Sequence, residues 1–461
     1  MTEQIADPGA FSIFSANGMP DVPMYLLSFD KQGICISPQT RARVVAEAAS
    51  GKYSAVHIYS HGWNNVFNEA VKHYTEFFTE YFALRKGAGI PNGDYKPLIV
   101  GIIWPSTAFL ASDETTPTFA GGSDVLDTAI SELAAELSPD SGRRLEQLAG
   151  DGKALGVAGS RELAELLLPL LASEEQGDGA QRTGDPGASA DDLLRSWGAA
   201  TSTQNRPAGR PGRLPGAGDA PGSLPGHAPS DAPSAAGMLE FLNPREILRK
   251  FTVILMKDRA GVVGRSGVAD LLRDILRGSA VKAHLTGHSY GARVILSALA
   301  ALKNERKVAS VLLLQPAVNA YCFAEHIDDK QGRPGAYRAA LYNTEMPVYT
   351  TFSERDRALS DFFKLALRRR GDVGDLQSAP LDNQFAALGA VGPLGMAAGE
   401  RVTLPMLQQP AWYPPPDPAV RVVALNGSVN GITAHGDVRN PFTEWVMVNL
   451  VGAHHASQAS T

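Results

Sequence analysis

The stretch that most constrains the fold is residues 282–299, KAHLTGHSYGARVILSAL. A short apolar segment of β type leads into the pentapeptide Gly-His-Ser-Tyr-Gly at residues 287–291, and an apolar helical segment follows. This order puts Ser289 on a sharp turn from strand to helix, which is the context that a Gly-x-Ser-x-Gly nucleophile elbow requires. Because strand and helix close in around such a turn, the flanking positions need small residues, and Gly287 and Gly291 occupy both.

Apolar runs on both sides of this stretch indicate an α/β fold. Residues 54–60 (SAVHIYS) and 97–104 (PLIVGIIW) predict buried strands, and residues 68–84 between them carry aromatic side chains at helical spacing. Strand, helix and strand in succession favour a parallel sheet with crossover helices. Three more strand-like runs lie downstream, at residues 308–315, 347–352 and 420–425.

Two further patterns concern the ends of the sheet. Residues 24–30 and 34–37 are short apolar runs around Gly33, and they predict a hairpin. A stretch rich in Gly and Pro at residues 388–410 is expected to form loops.

The middle of the chain interrupts the alternation of strands and helices. Two helical stretches, residues 124–148 and 160–173, lead into a Pro/Gly-rich tract at about residues 174–236. Such a tract cannot bury enough apolar surface to offset its ordering entropy, so we expect a disordered linker. The predicted division has an N-terminal core part, a partly helical, lid-like insertion and the remainder of the core, at residues 1–105, 106–245 and 246–461.

Composition disfavours several classes of partner and site. The net charge of −6 includes no strong block of either sign, which argues against nucleic acid and anionic membranes as partners. The two cysteines, Cys35 and Cys322, show no metal-type spacing, and no metal or cofactor is expected. The sequence begins without the pattern of a secretory signal and contains no run of about 18 apolar residues. We therefore expect a cytoplasmic protein without a transmembrane segment.

Ser289 requires a base and an orienting acid, because a hydroxyl is a poor nucleophile until a neighbouring group removes its proton. The chain order Ser, Asp or Glu, His is one that such triads use. Asp356 lies just beyond the strand-like run at residues 347–352, where a turn can direct a carboxylate back to the serine. Asp356 is therefore the predicted acid, and Glu354 and Asp361 stay open as alternatives.

Three histidines satisfy the required order as the base, namely His435, His454 and His455. His435 stands between the last strand-like run and a helix predicted at residues 441–451, in a loop at the same sheet edge as the serine and the acid. The other two follow that helix in a tail expected to be mobile, and a mobile base cannot be held within hydrogen-bond reach. His435 is therefore the predicted base.

The tetrahedral intermediate of acyl transfer also needs hydrogen-bond donors for its oxyanion. One predicted donor is the backbone N–H of Tyr290, directly after the nucleophile, and the other is the N–H of Trp63, in the loop after the strand at residues 54–60. The residues predicted to support these groups structurally are His61, Gly62, Gly287, His288 and Gly291.

These features together resemble the α/β-hydrolase superfamily, in particular bacterial serine hydrolases and esterases with an HGW-type oxyanion loop. The resemblance rests on the elbow at residues 287–291, the sequence HGWNN at residues 61–65, Asp356 and His435. It implies a mostly parallel eight-stranded sheet with helices on both faces, and often a lid in the region of the insertion. The implied activity is hydrolysis of an ester, thioester or related acyl bond of a small or lipid-like substrate through an acyl-serine.

Two alternatives remain. The first is a catalytically silent α/β-hydrolase scaffold used for binding or assembly, which turnover of a short p-nitrophenyl ester would exclude. The second is a lipase exported without a signal peptide, which would act on lipid vesicles and not on soluble short esters.

Overall fold

The computed structural model describes most of the chain outside the predicted insertion. The described residues are 9–15, 21–63, 67–90, 95–106, 130, 131, 133–135, 137–150, 155–172, 190, 194, 244–327, 333–362 and 386–458. The predicted linker at about residues 174–236 lies outside these ranges, apart from Ala190 and Leu194.

Nine strands in the described residues form one sheet. The strands are β1 (Ser12–Phe14), β2 (Val22–Ser28), β3 (Ala55–Ser60), β4 (Pro97–Ile103), β5 (Lys282–His288), β6 (Ser310–Leu314), β7 (Val348–Phe352), β8 (Arg401–Pro405) and β9 (Val422–Asn426). Their order in the sheet is β1-β2-β4-β3-β5-β6-β7-β9-β8. β1 pairs antiparallel with β2, and every other neighbouring pair is parallel. The prediction of a mostly parallel α/β sheet is confirmed.

The sheet has nine strands and not the eight expected. The predicted hairpin around Gly33 is present only as a short antiparallel turn. Gly33 has the positive φ expected (77°), a bridge joins Phe29 to Cys35, and the N–H of Ile36 donates to the carbonyl of Ser28 (2.8 Å), but residues 34–37 do not form the predicted second strand. Two strands that the sequence did not predict, β1 and β8, lie at the two edges of the sheet. An edge strand has one neighbour and little buried surface, so its sequence carries a weak apolar pattern.

Nine α-helices are described, and short π-helices and a 3₁₀-helix accompany them. The π-helices are Gly264–Val268 and Ala358–Phe362, and the 3₁₀-helix is Arg338–Tyr342. The α-helices are α1 (Pro38–Ala49), α2 (Phe67–Gly87), α3 (Pro139–Gly150), α4 (Val157–Ala172), α5 (Pro244–Val263), α6 (Ala269–Gly278), α7 (Tyr290–Ala300), α8 (Leu388–Val391) and α9 (Pro441–Gln458).

The chain divides into two compact units. The first contains the sheet and comprises Met1–Ala129, Ser173–Asp185 and Phe251–Thr461. The second comprises Ile130–Ala172 and Pro186–Lys250, and in it α3 and α4 contact each other. The predicted three-part division at residues 105 and 245 stays a prediction.

The core of the first unit is built on both faces of the sheet. Tyr74, Phe77, Phe78 and Tyr81 recur at helical spacing along α2 and are fully buried with Trp445 of α9 against one face. Neighbouring strand residues point alternately to the two faces. Alternate residues of the central strands are buried on the other side of the sheet, where α7 contacts β5 and β3. Burial on both faces explains the continuous apolar runs in the sequence.

The parallel arrangement brings the carboxyl ends of the central strands to one edge of the sheet. The central strands, which are consecutive neighbours in the sheet, are β3, β5, β6, β7 and β9. Ligand-binding and catalytic loops of open α/β sheets lie at this edge. The loops after these five strands therefore define the place to search for a site.

One ionisable side chain, Glu444, is buried in the first turn of α9 and is only 1% exposed. Burial raises the pKa of its carboxyl to about 8, and the nearby Glu80 also raises it. The folded pKa lies above the ordinary value of 4.5. Between those two pH values the folded state retains a proton that the unfolded state has released, so stability falls as pH rises through this window.

We therefore expect Glu444→Gln to stabilise the protein increasingly as pH rises. The neutral amide has no proton to lose, so the difference should be small near pH 4.5 and reach at most about 5 kcal/mol by pH 8. Thermal unfolding from pH 4.5 to 8.5 checks this. Glu325→Gln, at an exposed carboxylate, is the matched control. A Glu444→Gln advantage that does not vary with pH would contradict the expectation.

Candidate active site

Ser289 occupies the turn between β5 and α7 in a strained backbone conformation. Its φ of 55° and ψ of −124° are unusual for a residue other than glycine, and such conformations cost about 1–3 kcal/mol. Its N–H donates to the carbonyl of Leu314 (3.0 Å), and its own carbonyl accepts from the N–H groups of Ala292 and Ala317 (both 3.1 Å). The end of β6 therefore holds the serine backbone on two sides.

The backbone approaches the two glycines of the turn very closely. A Cβ on Gly287 would lie 2.6 Å from Cα of Ala292, and a Cβ on Gly291 would collide with the carbonyl oxygens of Ser60 and His61. Both contacts are to backbone, which cannot move aside without displacing the turn. A side chain at either position would therefore move Ser289.

Ser289, His435 and Asp356 form a continuous chain of hydrogen bonds. Nε2 of His435 lies 2.8 Å from Oγ of Ser289, and Nδ1 lies 2.8 Å from Oδ2 of Asp356. A carboxylate accepts hydrogen bonds, so Nδ1 carries the proton and Nε2 accepts from the serine hydroxyl. The three residues follow β5, β9 and β7 respectively. The structure therefore brings together the three residues that the sequence singled out.

The carboxylate of Asp356 is completely buried and fully hydrogen-bonded. Oδ1 accepts from the N–H of Leu359, and Oδ2 accepts from Nε2 of Gln315 (both 3.0 Å) as well as from His435. Burial by itself raises the pKa of Asp356, but the interaction with His435 and these hydrogen bonds outweigh it. The pKa of this carboxyl therefore lies below its ordinary value. Asp356 is ionised at neutral pH.

Side chains within the loop between β9 and α9 hold His435 in place. Oδ2 of Asp437 accepts from both the N–H and the hydroxyl of Thr433 (2.9 Å each). Nδ2 of Asn440 donates to the carbonyls of Gly431 (2.6 Å) and Asp437 (2.8 Å). These bonds close the loop on itself, so His435 has a defined position.

His288, the residue before the serine, connects the elbow to the His435 loop. Its Nε2–H donates to the backbone carbonyl of His435 (3.1 Å), and the two rings lie 5.1 Å apart. Burial lowers the pKa of His288 well below its ordinary value, so the ring stays neutral. His288 is therefore a structural contact between the elbow and the loop.

The loop after β3 lies directly against the elbow. The ring of His61 stacks on Trp104 (5.6 Å between ring centroids), and burial lowers the pKa of His61 to about 4. Its Nδ1–H donates to the carbonyl of Gly62 (2.8 Å). A Cβ on Gly62 would lie 2.9 Å from Cβ of Ser289, so this backbone borders the serine.

The two predicted oxyanion donors lie on segments that flank Ser289. Tyr290 is the first residue of α7, and Trp63 follows Gly62 in the loop after β3. Asn64 and Asn65, which complete the HGWNN sequence, lie outside the described residues. The donor roles of Trp63 and Tyr290 stay predictions.

If Ser289 is the nucleophile that the sequence predicts, Gly62→Ala is expected to lower kcat by about 100-fold without unfolding the protein. The added methyl would press on Cβ of Ser289 and on Nδ1 of His288, each 2.9 Å away, and would displace the serine. Ester turnover and the thermal midpoint check this. Gly278→Ala is the matched control, since its Cβ meets nothing within 4 Å. Unchanged kcat in Gly62→Ala would contradict the expectation.

The alternative acids and bases take other positions. Glu354 is exposed, and Asp361 lies in the π-helix Ala358–Phe362. The sequence predicted that the last helix ends at residue 451 and that a mobile tail follows it. That boundary is wrong, because α9 continues to Gln458 and includes His454 and His455. Apart from Gly452, the residues of this extension carry no strong helix breaker, which explains the added turns.

Sequence reasoning missed one polar residue that contacts the site, Gln315 at the end of β6. Its side-chain amide donates to Asp356. The available signal was a polar residue at the end of a mostly apolar run, since residues 308–315 read VASVLLLQ.

Other kinds of site are not apparent in the described part of the chain. No group of three or more His, Cys, Asp or Glu side chains there is placed to hold a metal ion, and no described helix is long and apolar enough to cross a membrane. A cavity of about 590 Å³ lies near the amino ends of β7 and β9, where Tyr349, Trp412 and Tyr413 line it. Ser289, His435 and Asp356 are not among its lining residues.

Comparison with known proteins found no matching family model, no similar curated protein and no similar solved structure.

Proposed function

We propose that the protein is a serine hydrolase that cleaves a carboxylic ester or a related acyl bond through an acyl-serine intermediate. The observation that carries the proposal is the chain of 2.8 Å hydrogen bonds from Asp356 through His435 to Ser289. This arrangement supplies a nucleophile, a base in reach of its proton and a group that orients the base.

In the proposed reaction Oγ of Ser289 attacks the acyl carbon while Nε2 of His435 takes the serine proton. The imidazolium that forms is stabilised by ionised Asp356, which does not itself take the proton. His435 then gives the proton to the leaving alkoxide as the acyl carbon–oxygen bond breaks. A water molecule, activated by the same histidine, hydrolyses the acyl-serine and restores the hydroxyl.

The negative charge on the acyl oxygen requires donors placed beside Ser289. We assign this role to the backbone N–H groups of Tyr290 and Trp63, as the sequence predicts. What supports the assignment is position, because Tyr290 begins α7 and Trp63 belongs to the loop that borders the nucleophile. The N-terminus of a helix favours negative charge. The nucleophile, the base, the acid and the oxyanion donors of the proposed reaction all belong to the chain itself.

We also assign the sheet to the α/β-hydrolase type. Its support is the strand order β2-β4-β3-β5-β6-β7-β9 and the placement of serine, acid and histidine after β5, β7 and β9. The chain order Ser, Asp, His is the one that this fold uses.

A series of p-nitrophenyl esters, from acetate to octanoate, tests the proposed function. We expect turnover with an initial burst of about one p-nitrophenol per chain, because p-nitrophenol leaves readily and the acyl-serine accumulates when it forms faster than it is hydrolysed. The chain-length dependence then defines the acyl group. Release no faster than by Ser289→Ala across the series would contradict the proposal and favour a silent scaffold. Turnover only of lipid in vesicles would instead favour a lipase.

A further inference from the structure

Gln315 shares an unusual positive φ with the proposed nucleophile. In the described residues only Ser289 and Gln315 combine a positive φ with a side chain, and the φ of Gln315 is 44°. Gln315 is completely buried directly after β6. Strained residues of this kind persist where the surrounding structure determines them strongly, and they concentrate at functional sites.

The hydrogen bonds of Gln315 fix which way its amide points. Oγ1 of Thr351 accepts from the backbone N–H of Gln315 (2.9 Å), so the hydroxyl hydrogen is directed to Oε1 of Gln315 (3.0 Å). Nε2 therefore faces the other way. It donates to Oδ2 of Asp356 (3.0 Å) and to the carbonyl of Gly389 (3.2 Å). Both amide hydrogens and the amide oxygen are used.

Gln315 and His435 donate to the same carboxylate oxygen of Asp356. The terminal torsion of an aspartate is broad, so a carboxylate is oriented by its hydrogen bonds and not by its rotamer. The N–H of Leu359 holds Oδ1, and Gln315 is the donor that holds Oδ2 besides His435 itself. The carbonyl of the neighbouring Leu314 accepts a hydrogen bond from the N–H of Ser289. The end of β6 therefore contacts both the acid and the proposed nucleophile.

We propose that Gln315 is a positioning residue that fixes the Asp356 carboxylate and thereby the orientation of His435, an inference that rests on the proposed function of this site. Gln315 does not touch the reacting atoms. Its effect reaches Ser289 through the carboxylate and the imidazole.

Two substitutions separate the donor from the shape of the side chain. Gln315→Met keeps the length and loses the donor. We expect kcat to fall about 10- to 100-fold with KM within about twofold, because the base is misoriented while substrate contacts remain.

Gln315→Glu keeps the shape and donates only when protonated. We expect its activity to fall as pH rises, since two carboxylates in contact retain a shared proton only at lower pH.

The matched control is Asn449→Leu, which removes a buried amide in α9. Asn449 accepts from the N–H of Tyr413 (3.0 Å) and donates to the carbonyl of Trp445 (2.7 Å), and neither of these bonds involves Ser289, His435 or Asp356. We expect this variant to lose stability while its kcat and its pH profile stay as in the wild type.

A proton NMR spectrum without substrate is the deciding measurement. We expect a low-field resonance from the Nδ1 proton of His435 that is absent in His435→Ala, shifted or lost in Gln315→Met, and unchanged in Asn449→Leu. An unchanged resonance in folded Gln315→Met, or its absence from the wild type, would overturn the proposal, as would an unchanged kcat in this variant.

Because this spectrum needs no turnover, a wild type without esterase activity would refute the proposed function and still leave the role of Gln315 testable. If Gln315→Met does not fold, the pH profile of the resonance in Gln315→Glu takes its place. If the resonance in Gln315→Glu has the wild-type position at every pH, the proposal is overturned.

Discussion

Replacing His435 by alanine is expected to lower kcat for ester hydrolysis by about a million-fold, comparable to the loss of the serine itself. Nε2 of His435 lies 2.8 Å from Oγ of Ser289, and no other described side chain is hydrogen-bonded to that hydroxyl. Without the imidazole the serine proton has no acceptor, and the leaving group has no donor. Initial rates with a p-nitrophenyl ester under saturating conditions measure the loss.

The control for this substitution is the pair of variants His454→Ala and His455→Ala. Both histidines lie in α9 and satisfy the chain order required of the base. We expect each variant to retain wild-type kcat. A large loss of kcat in either of them, with activity retained in His435→Ala, would move the base to the end of α9.

Asp356→Asn is expected to lower kcat by about ten thousand-fold. Both carboxylate oxygens accept N–H groups, from Leu359 on one side and from Gln315 and His435 on the other. Whichever way the new amide turns, its NH₂ group meets a donor. The uncharged side chain also leaves the imidazolium of His435 without a counter-charge. The rate at saturating ester and the thermal midpoint together measure this.

Glu354→Gln is the matched control for Asp356→Asn. Glu354 lies two residues earlier in the same turn, and its side chain is exposed. We expect its removal to leave kcat unchanged. If Asp356→Asn kept more than about a tenth of the wild-type kcat while folded, the orienting role of Asp356 would be contradicted.

The parts of the fold that sequence predicted correctly are those with strong local patterns. β3, β4, β6 and β7 lie within predicted apolar runs, and β5 and β9 overlap theirs, because strands buried on both faces need apolar residues throughout. The sharp turn at Ser289 is equally local, since Gly287 and Gly291 stand where the backbone leaves no room for a Cβ.

The elements that sequence missed depend on contacts with distant parts of the chain. β8 has alternating exposed and half-buried residues and pairs only with β9, so Arg401–Pro405 carries little apolar signal of its own. The partners of Gln315 that fix its amide, Thr351 and Asp356, lie 36 and 41 residues further along the chain. No local pattern indicates that these side chains meet.

The candidate site was predictable in part from the sequence. Chain order and strand ends were sufficient to select Ser289, Asp356 and His435, because parallel strands place their following loops at one edge. The hydrogen bonds that hold them were not predictable. His288 reaches the carbonyl of a residue 147 positions away. Side chains of this supporting kind can be recognised only once the loops are folded.

Intact-mass analysis after reaction with a serine-directed fluorophosphonate tests the proposed nucleophile most directly. We expect one adduct per chain, located by peptide mapping on Ser289, no adduct on Ser289→Ala, and much slower labelling of His435→Ala. A folded wild-type protein that takes up no label, or a Ser289→Ala variant that labels as fast as the wild type, would contradict the assignment of Ser289 as the nucleophile.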